Sequence, residues 1–173
     1  MEIKNITKFS KDGYFTLNKT MMGKTYISCA FFEIALAVLL TFIIIKEKDI
    51  VKPIFLGVLM ITYPFLLTLI MKVQSKRNYE ANKTVYEDMV YDYVFTDEKL
   101  NVRLTHKEKV NEGHITYRAM YKVVDTNNFL FVFISSNQAY IIEKVNFSSN
   151  EEYQQVIDKI KQENIKYKFL KVK

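Results

Sequence analysis

Two long apolar runs stand in an otherwise polar chain, and they predict its first elements. Residues 27–45, ISCAFFEIALAVLLTFIII, hold one acidic group, and residues 53–71, PIFLGVLMITYPFLLTLIM, hold no charge. At about 1.5 Å of rise per residue each run makes a helix of about 28 Å, close to the roughly 30 Å hydrocarbon core of a bilayer. Between them KEKDIVK, Lys46 to Lys52, is too short to fold alone and too charged to remain in lipid. The pattern predicts a transmembrane hairpin, residues 26–72, with this knot as its turn. The first run does not read as a cleavable signal peptide. Its apolar stretch is too long, it follows a polar-to-mixed segment of residues 1–25, and no small-residue cleavage site comes after it.

After Lys83 the period changes. TVYEDMVYDYVF alternates, KLNVRLTH sets Leu100, Val102 and Leu104 on one face, and FLFVFI and AYIIEK are short runs of β-branched and aromatic residues. The turn signals TDEK, NEG, TNN and SSNQ separate them, which predicts about six strands joined mainly by hairpins. One helix, 149–163, ends this α+β domain of residues 84–173. Ser149 and Glu152 have capping-box spacing, and Tyr153, Val156, Ile157 and Ile160 form its apolar stripe. An antiparallel sheet curled under that helix is the economical arrangement. The tail IKYKFLKVK, with Ile165, Tyr167 and Phe169 on one face, reads as a last edge strand, or as a segment lying on anionic lipid.

Charge adds orientation. Residues 1–83 hold 12 Lys and Arg against 6 acids, and residues 84–173 hold 13 against 13, so the net charge of +6 belongs to the neighbourhood of the hairpin. A nucleic-acid-binding domain would carry the basic excess on itself, and nucleic acid is therefore not an expected partner. Lys4, Lys8, Lys11, Lys19 and Lys24 precede the hairpin and Lys72, Lys76, Arg77 and Lys83 follow it, against three lysines in the turn. The positive-inside rule then predicts a multi-pass protein of the cell membrane with both termini cytoplasmic. The single cysteine, Cys29, permits no intrachain disulfide, which suits that compartment.

Within the bilayer Glu33 is the expensive residue, at about 2.5 to 3.5 kcal/mol on insertion scales. Antiparallel pairing about the turn sets Ala30 opposite Thr68. Ala30, Glu33, Ala37 and Thr41 then form one stripe, facing Gly57, Ile61, Pro64 and Thr68. Glu33 needs a partner or a proton. Protonated, it can serve Thr68 or the Met60 carbonyl that Pro64 deprives of its helical donor, as structural glue within the hairpin or between subunits. The alternative is a carboxylate that handles protons or ions. Elsewhere chemistry is sparse. The four glycines are scattered, so no phosphate-cradling loop exists, and His106 and His114 lack a third ligand. No catalytic residue, metal or cofactor is expected. Arg103, Lys107, Lys109 and Arg118 remain as a candidate binding rim, interleaved with acids.

Tyr117 to Ile160, YRAMYKVVDTNNFLFVFISSNQAYIIEKVNFSSNEEYQQVIDKI, resembles the C-terminal domain of the YcxB-like family of bacterial membrane proteins. The specific residues are Lys122, Val123, Val124 and Asp125 ahead of an aromatic strand, then Ala139 to Ile142, then Phe147 before the helix. Tyr117 stands where members often have tryptophan, and Glu143 where proline usually precedes Lys144. The resemblance implies two transmembrane helices and a PH-like cytoplasmic domain, and it brings no catalytic residues. The expected function is a non-enzymatic membrane protein that holds a PH-like binding or regulatory domain at the inner membrane face. The alternative is a bacteriocin self-immunity protein acting through its hairpin. The expected partners are the lipid bilayer and either another protein or further copies of this chain.

Overall fold

A computed structural model describes residues 1–46 and 51–171. Residues 47–50 of the expected hairpin turn, and 172–173 of the tail, lie outside the described residues. The chain divides into two compact units, one formed by Met1–Thr20 with Asn82–Lys173 and the other by Met21–Ala81.

The first unit begins with a strand that the hydrophobic pattern hides. β1 (Glu2–Lys8) alternates in burial, but its inward residues are Ile3, Asn5 and Thr7, while Ile6 points outward. It pairs antiparallel with β2 (Met89–Thr96), from Glu2 opposite Thr96 to Lys8 opposite Val90. The segment 1–25, read from sequence as separate, thus supplies the edge of the domain's sheet and the start of α1 (Lys11–Lys46). After α2 (Val51–Ala81), a single turn, α3 (Lys83–Tyr86), occupies the front of the stretch expected to be a strand. β3 (Lys99–His106) and β4 (Lys109–Thr116) complete a first sheet of order β1-β2-β3-β4.

The second sheet has order β7-β6-β5-β8. β5 (Lys122–Asp125), β6 (Phe129–Phe133) and β7 (Ala139–Glu143) run antiparallel, and β8 (Tyr167–Phe169) joins β5 in parallel. The expectation of one sheet of about six strands is corrected to two four-stranded sheets. The additions are β1, whose inward positions are mostly polar, and the tail strand β8.

The two sheets meet where β1 runs beside β7. Asn5 Nδ2 donates to the Glu143 carbonyl at 2.9 Å, Thr7 Oγ1 donates to Asn5 Oδ1 at 2.7 Å, and the Glu143 amide donates to Thr7 Oγ1 at 3.0 Å. Two buried polar side chains thereby satisfy a strand end that would otherwise be orphaned. The core lies between the sheets and under α4 (Asn150–Gln162), with Tyr93, Phe95, Leu100, Leu130, Val132 and Ile142 fully enclosed. α4 starts as its sequence signals. Ser149 Oγ accepts from the Glu152 amide at 3.2 Å, Glu152 reaches back to the Ser148 amide, and the whole predicted stripe is buried. Gly13, in the first turn of α1, is required by packing, because a Cβ there would come within 2.9 Å of Ile141 Cγ2 and 3.2 Å of Phe129.

The second unit consists of two helices long and apolar enough to cross a membrane. Phe31, Val38, Phe42, Ile61, Phe65 and Ile70 are exposed, as a lipid-facing surface demands and a soluble core would not allow. Thr41, Thr62 and Thr68 donate to the carbonyls of Ala37, Val58 and Pro64, so their hydroxyls place no unpaired group in lipid. Tyr26 lies 3.5 Å from Thr68 Oγ1, and the Phe32 and Tyr63 rings are 5.2 Å apart. That register is about one turn from the expected one, which set Ala30 against Thr68. The covered stripe of α1 is Cys29, Glu33, Leu36, Ala37, Leu40 and Ile43, whereas Ala30 and Thr41 face outward. On α2 Gly57, Pro64 and Thr68 keep the expected side and Met60 replaces Ile61.

Candidate functional site

A polar cluster forms around Asp125, the last residue of β5. Its carboxylate is buried, and three elements distant in sequence converge on it. Tyr153 from α4 and Tyr167 from β8 donate their hydroxyls to Oδ2, at 2.5 and 2.6 Å. Oδ1 receives no directed hydrogen bond, but Lys144 Nζ stands 2.6 Å away as an ion-pair partner. The same ammonium lies 4.5 Å from the Tyr153 ring centroid and 5.8 Å from that of Phe169, a cation held between two aromatic faces. Burial, and then the bond each gives to Asp125, hold both tyrosine hydroxyls protonated well above the ordinary tyrosine range. At neutral pH these hydroxyls are fixed donors and carry no acid–base traffic.

Lys144 and Tyr153 are also part of the wall of a groove of about 750 Å³, within the volume range of small-ligand sites. Ser10 and Asp12 at the start of α1, Asn127 and Asn128 in the β5–β6 turn, Glu143, and Ser149 and Asn150 at the start of α4 surround it. Phe129 and Phe147 add apolar surface. The lining offers amide and hydroxyl donors and acceptors around aromatic faces, and Lys144, the cation of this wall, is committed to Asp125. Among the described residues no group of three or more His, Cys, Asp or Glu could hold a metal ion. The arrangement suits reversible recognition of a ligand with both amide-like and apolar surface.

This site is not legible in the sequence: no spacing joins residues 125, 144, 153 and 167, and Tyr153 reads as part of an apolar stripe. The four basic residues expected to form a rim do not come together. Arg103, in mid-β3, pairs with Glu112 at 3.5 Å. Lys107 and Lys109 lie at the β3–β4 turn, where Lys107 adopts a left-handed backbone with φ of 55°. Arg118 follows the opposite end of β4, roughly 24 Å away at about 3.4 Å per residue, and faces Glu163 at 3.8 Å. His106 and His114 occupy separate rungs of this ladder, opposite Lys109 and Asn101.

Residues 95–160 match the YcxB-like protein family. No curated protein and no solved structure matches the chain. The resemblance drawn from Tyr117 to Ile160 lies inside the matched span. This YcxB-like region runs from the end of β2 into α4. It contains Asp125, Lys144 and Tyr153 of the buried cluster, and Tyr167 lies beyond it.

In the second unit, outside the YcxB-like match, the expected bond from Glu33 to Thr68 or to the Met60 carbonyl is not made. Thr68 Oγ1 donates to the Pro64 carbonyl at 2.8 Å, and Glu33 Oε1 is buried without a hydrogen-bond partner. Cys29, one turn away on the same face, is buried as a packing residue.

Proposed function

We propose that this protein is a membrane-anchored binding module: its hairpin crosses the cell membrane with both termini cytoplasmic and holds a PH-like regulatory domain at the inner face, without catalysis. The observation that carries this reading is the pairing of β1 with β2. The residues before and after the hairpin belong to one sheet, which supports placing both ends of the hairpin on one side of the bilayer. The surplus of lysine beside those ends favours the cytoplasmic side. Two antiparallel ladders closed by a C-terminal helix support the PH-like assignment. Lys8, the start of β2, and Lys107 and Lys109 share one end of the first sheet. Those cations suit a surface of anionic headgroups, each contributing about 1 kcal/mol near it. The groove beside Lys144 is then the seat for a partner, either a protein segment or a lipid headgroup.

Single cysteines introduced at Lys48 and Asn127, in a Cys29→Ser background, test the arrangement in intact cells. A membrane-impermeant thiol reagent is expected to modify position 48 and to reach position 127 only after permeabilisation. Labelling of position 127 in intact cells would overturn the cytoplasmic placement of the domain.

A further inference from the structure

β4 is a long, bare sheet edge. Its eight residues pair with β3 from Lys109 to Thr116 without a bulge, and no strand pairs with its other side among the described residues. Every one of its positions except Ile115 is exposed. The other ends of the two sheets differ: β1 is tied to β7 through Asn5 and Thr7, and β8 is three residues long. Natural sheets guard exposed edges with proline, bulges, short strands or charge. β4 has no proline and no bulge, its lysine stands at the hairpin tip, and its mid-strand charge is Glu112, paired with Arg103 of β3.

Gly113, at the middle of this edge, is unexplained within the molecule. A glycine weakens a strand unless a bulge, a bend or the close approach of another backbone calls for it. Here the backbone φ is not in the left-handed region, and a Cβ would meet nothing within 4 Å. The approaching backbone would therefore belong to another molecule.

We propose that β4 pairs antiparallel with β4 of a second copy, about a two-fold axis through Gly113, to form one eight-stranded sheet across a homodimer. A two-fold axis normal to a sheet keeps each face on its own side, so residues equidistant from the axis face each other. Glu112 of each copy then opposes His114 of the other, Val110 opposes Thr116, and the two Gly113 residues meet. Arg103 already stands 3.5 Å from Glu112 on the far side, so the row Arg103, Glu112, His114 sets a carboxylate between a guanidinium and an imidazole that can donate a hydrogen bond. With the axis moved to Glu112, the two carboxylates would oppose each other directly, an unfavourable cross-strand pair. The inference is independent of what occupies the groove, which lies on other elements.

Disulfide trapping of the full chain, purified in mild detergent and reconstituted in bilayers, tests both the pairing and its register. In a Cys29→Ser background, Gly113→Cys places two thiols on paired residues about 4.5 to 5.5 Å apart at Cα, within disulfide reach. Val110→Cys leaves its two copies roughly 20 Å apart by strand rise. Mild oxidation is expected to convert the Gly113→Cys protein to a covalent dimer while Val110→Cys stays monomeric. The Val110→Cys/Thr116→Cys protein is expected to regain the dimer. Equal trapping at both single positions, trapping at neither, or capture of a different chain at position 113 would overturn the proposal.

Discussion

Asp125 ties α4, the end of β7 and the tail strand to β5. A buried carboxylate is tolerated only when it is compensated, and here two phenols donate to Oδ2 while the Lys144 ammonium forms an ion pair with Oδ1. Asp125→Ala leaves Lys144 and both hydroxyls without their common partner, and its expected cost is about 3 to 5 kcal/mol. Chemical denaturation of the full chain in mild detergent measures this, and a loss below about 1 kcal/mol would show the cluster to be solvated and dispensable. The sequence could not announce such a residue. An aspartate that ends an apolar strand and precedes TNN looks like turn chemistry, and its partners lie 19, 28 and 42 positions away. The basic residues fared in the opposite way. Their charge was easy to see, but Arg103 and Arg118 have acidic neighbours, and strand geometry separates Arg118 from Lys107 and Lys109.

Among the elements, α4 was the most legible, since cap, capping glutamate and stripe all express one local period. The two helices long and apolar enough to cross a membrane were equally plain in length and composition. Their mutual rotation was not, because near-uniform apolarity leaves no moment from which a facing side can be read. Glu33 now has a sharper test than charge alone offered. It sits on the covered face, yet its Oε1 has no partner. Replacement by leucine removes an insertion cost of about 2.5 to 3.5 kcal/mol and breaks no hydrogen bond to that oxygen. Glu33→Leu is therefore expected to keep or raise the thermal stability of the hairpin in detergent. A loss of about 0.6 kcal/mol or more would mean that Glu33 has a bonding partner in the membrane-embedded protein.

For the whole molecule, the decisive feature is a domain whose first strand is separated from the rest by the hairpin. The pattern concealed it for a physical reason: of the three inward positions of β1 only Ile3 is apolar, and the second isoleucine, Ile6, is on the outside. Asn5 and Thr7 are inward because they hydrogen-bond to β7, a contact that local sequence does not encode. A chain of residues 82–173 alone is consequently expected to aggregate or to show poor amide protection in β2, whose pairing side would be bare. Joining residues 1–20 to 82–173 through a flexible linker in place of the hairpin should restore slow hydrogen exchange in β2. Full protection in the shorter chain would show β1 to be an accessory strand.

On the proposed topology, the order of synthesis would make that interruption a check on insertion. β1 leaves the ribosome first and must wait for both helices to be placed before β2 can pair with it, so completion of the sheet reports on the insertion that preceded it. A chain whose second span failed to return would strand β1 on one side of the bilayer and the remaining strands on the other. Such a misinserted molecule would present the bare pairing side of β2, an unfinished surface of the kind that proteases and chaperones take up.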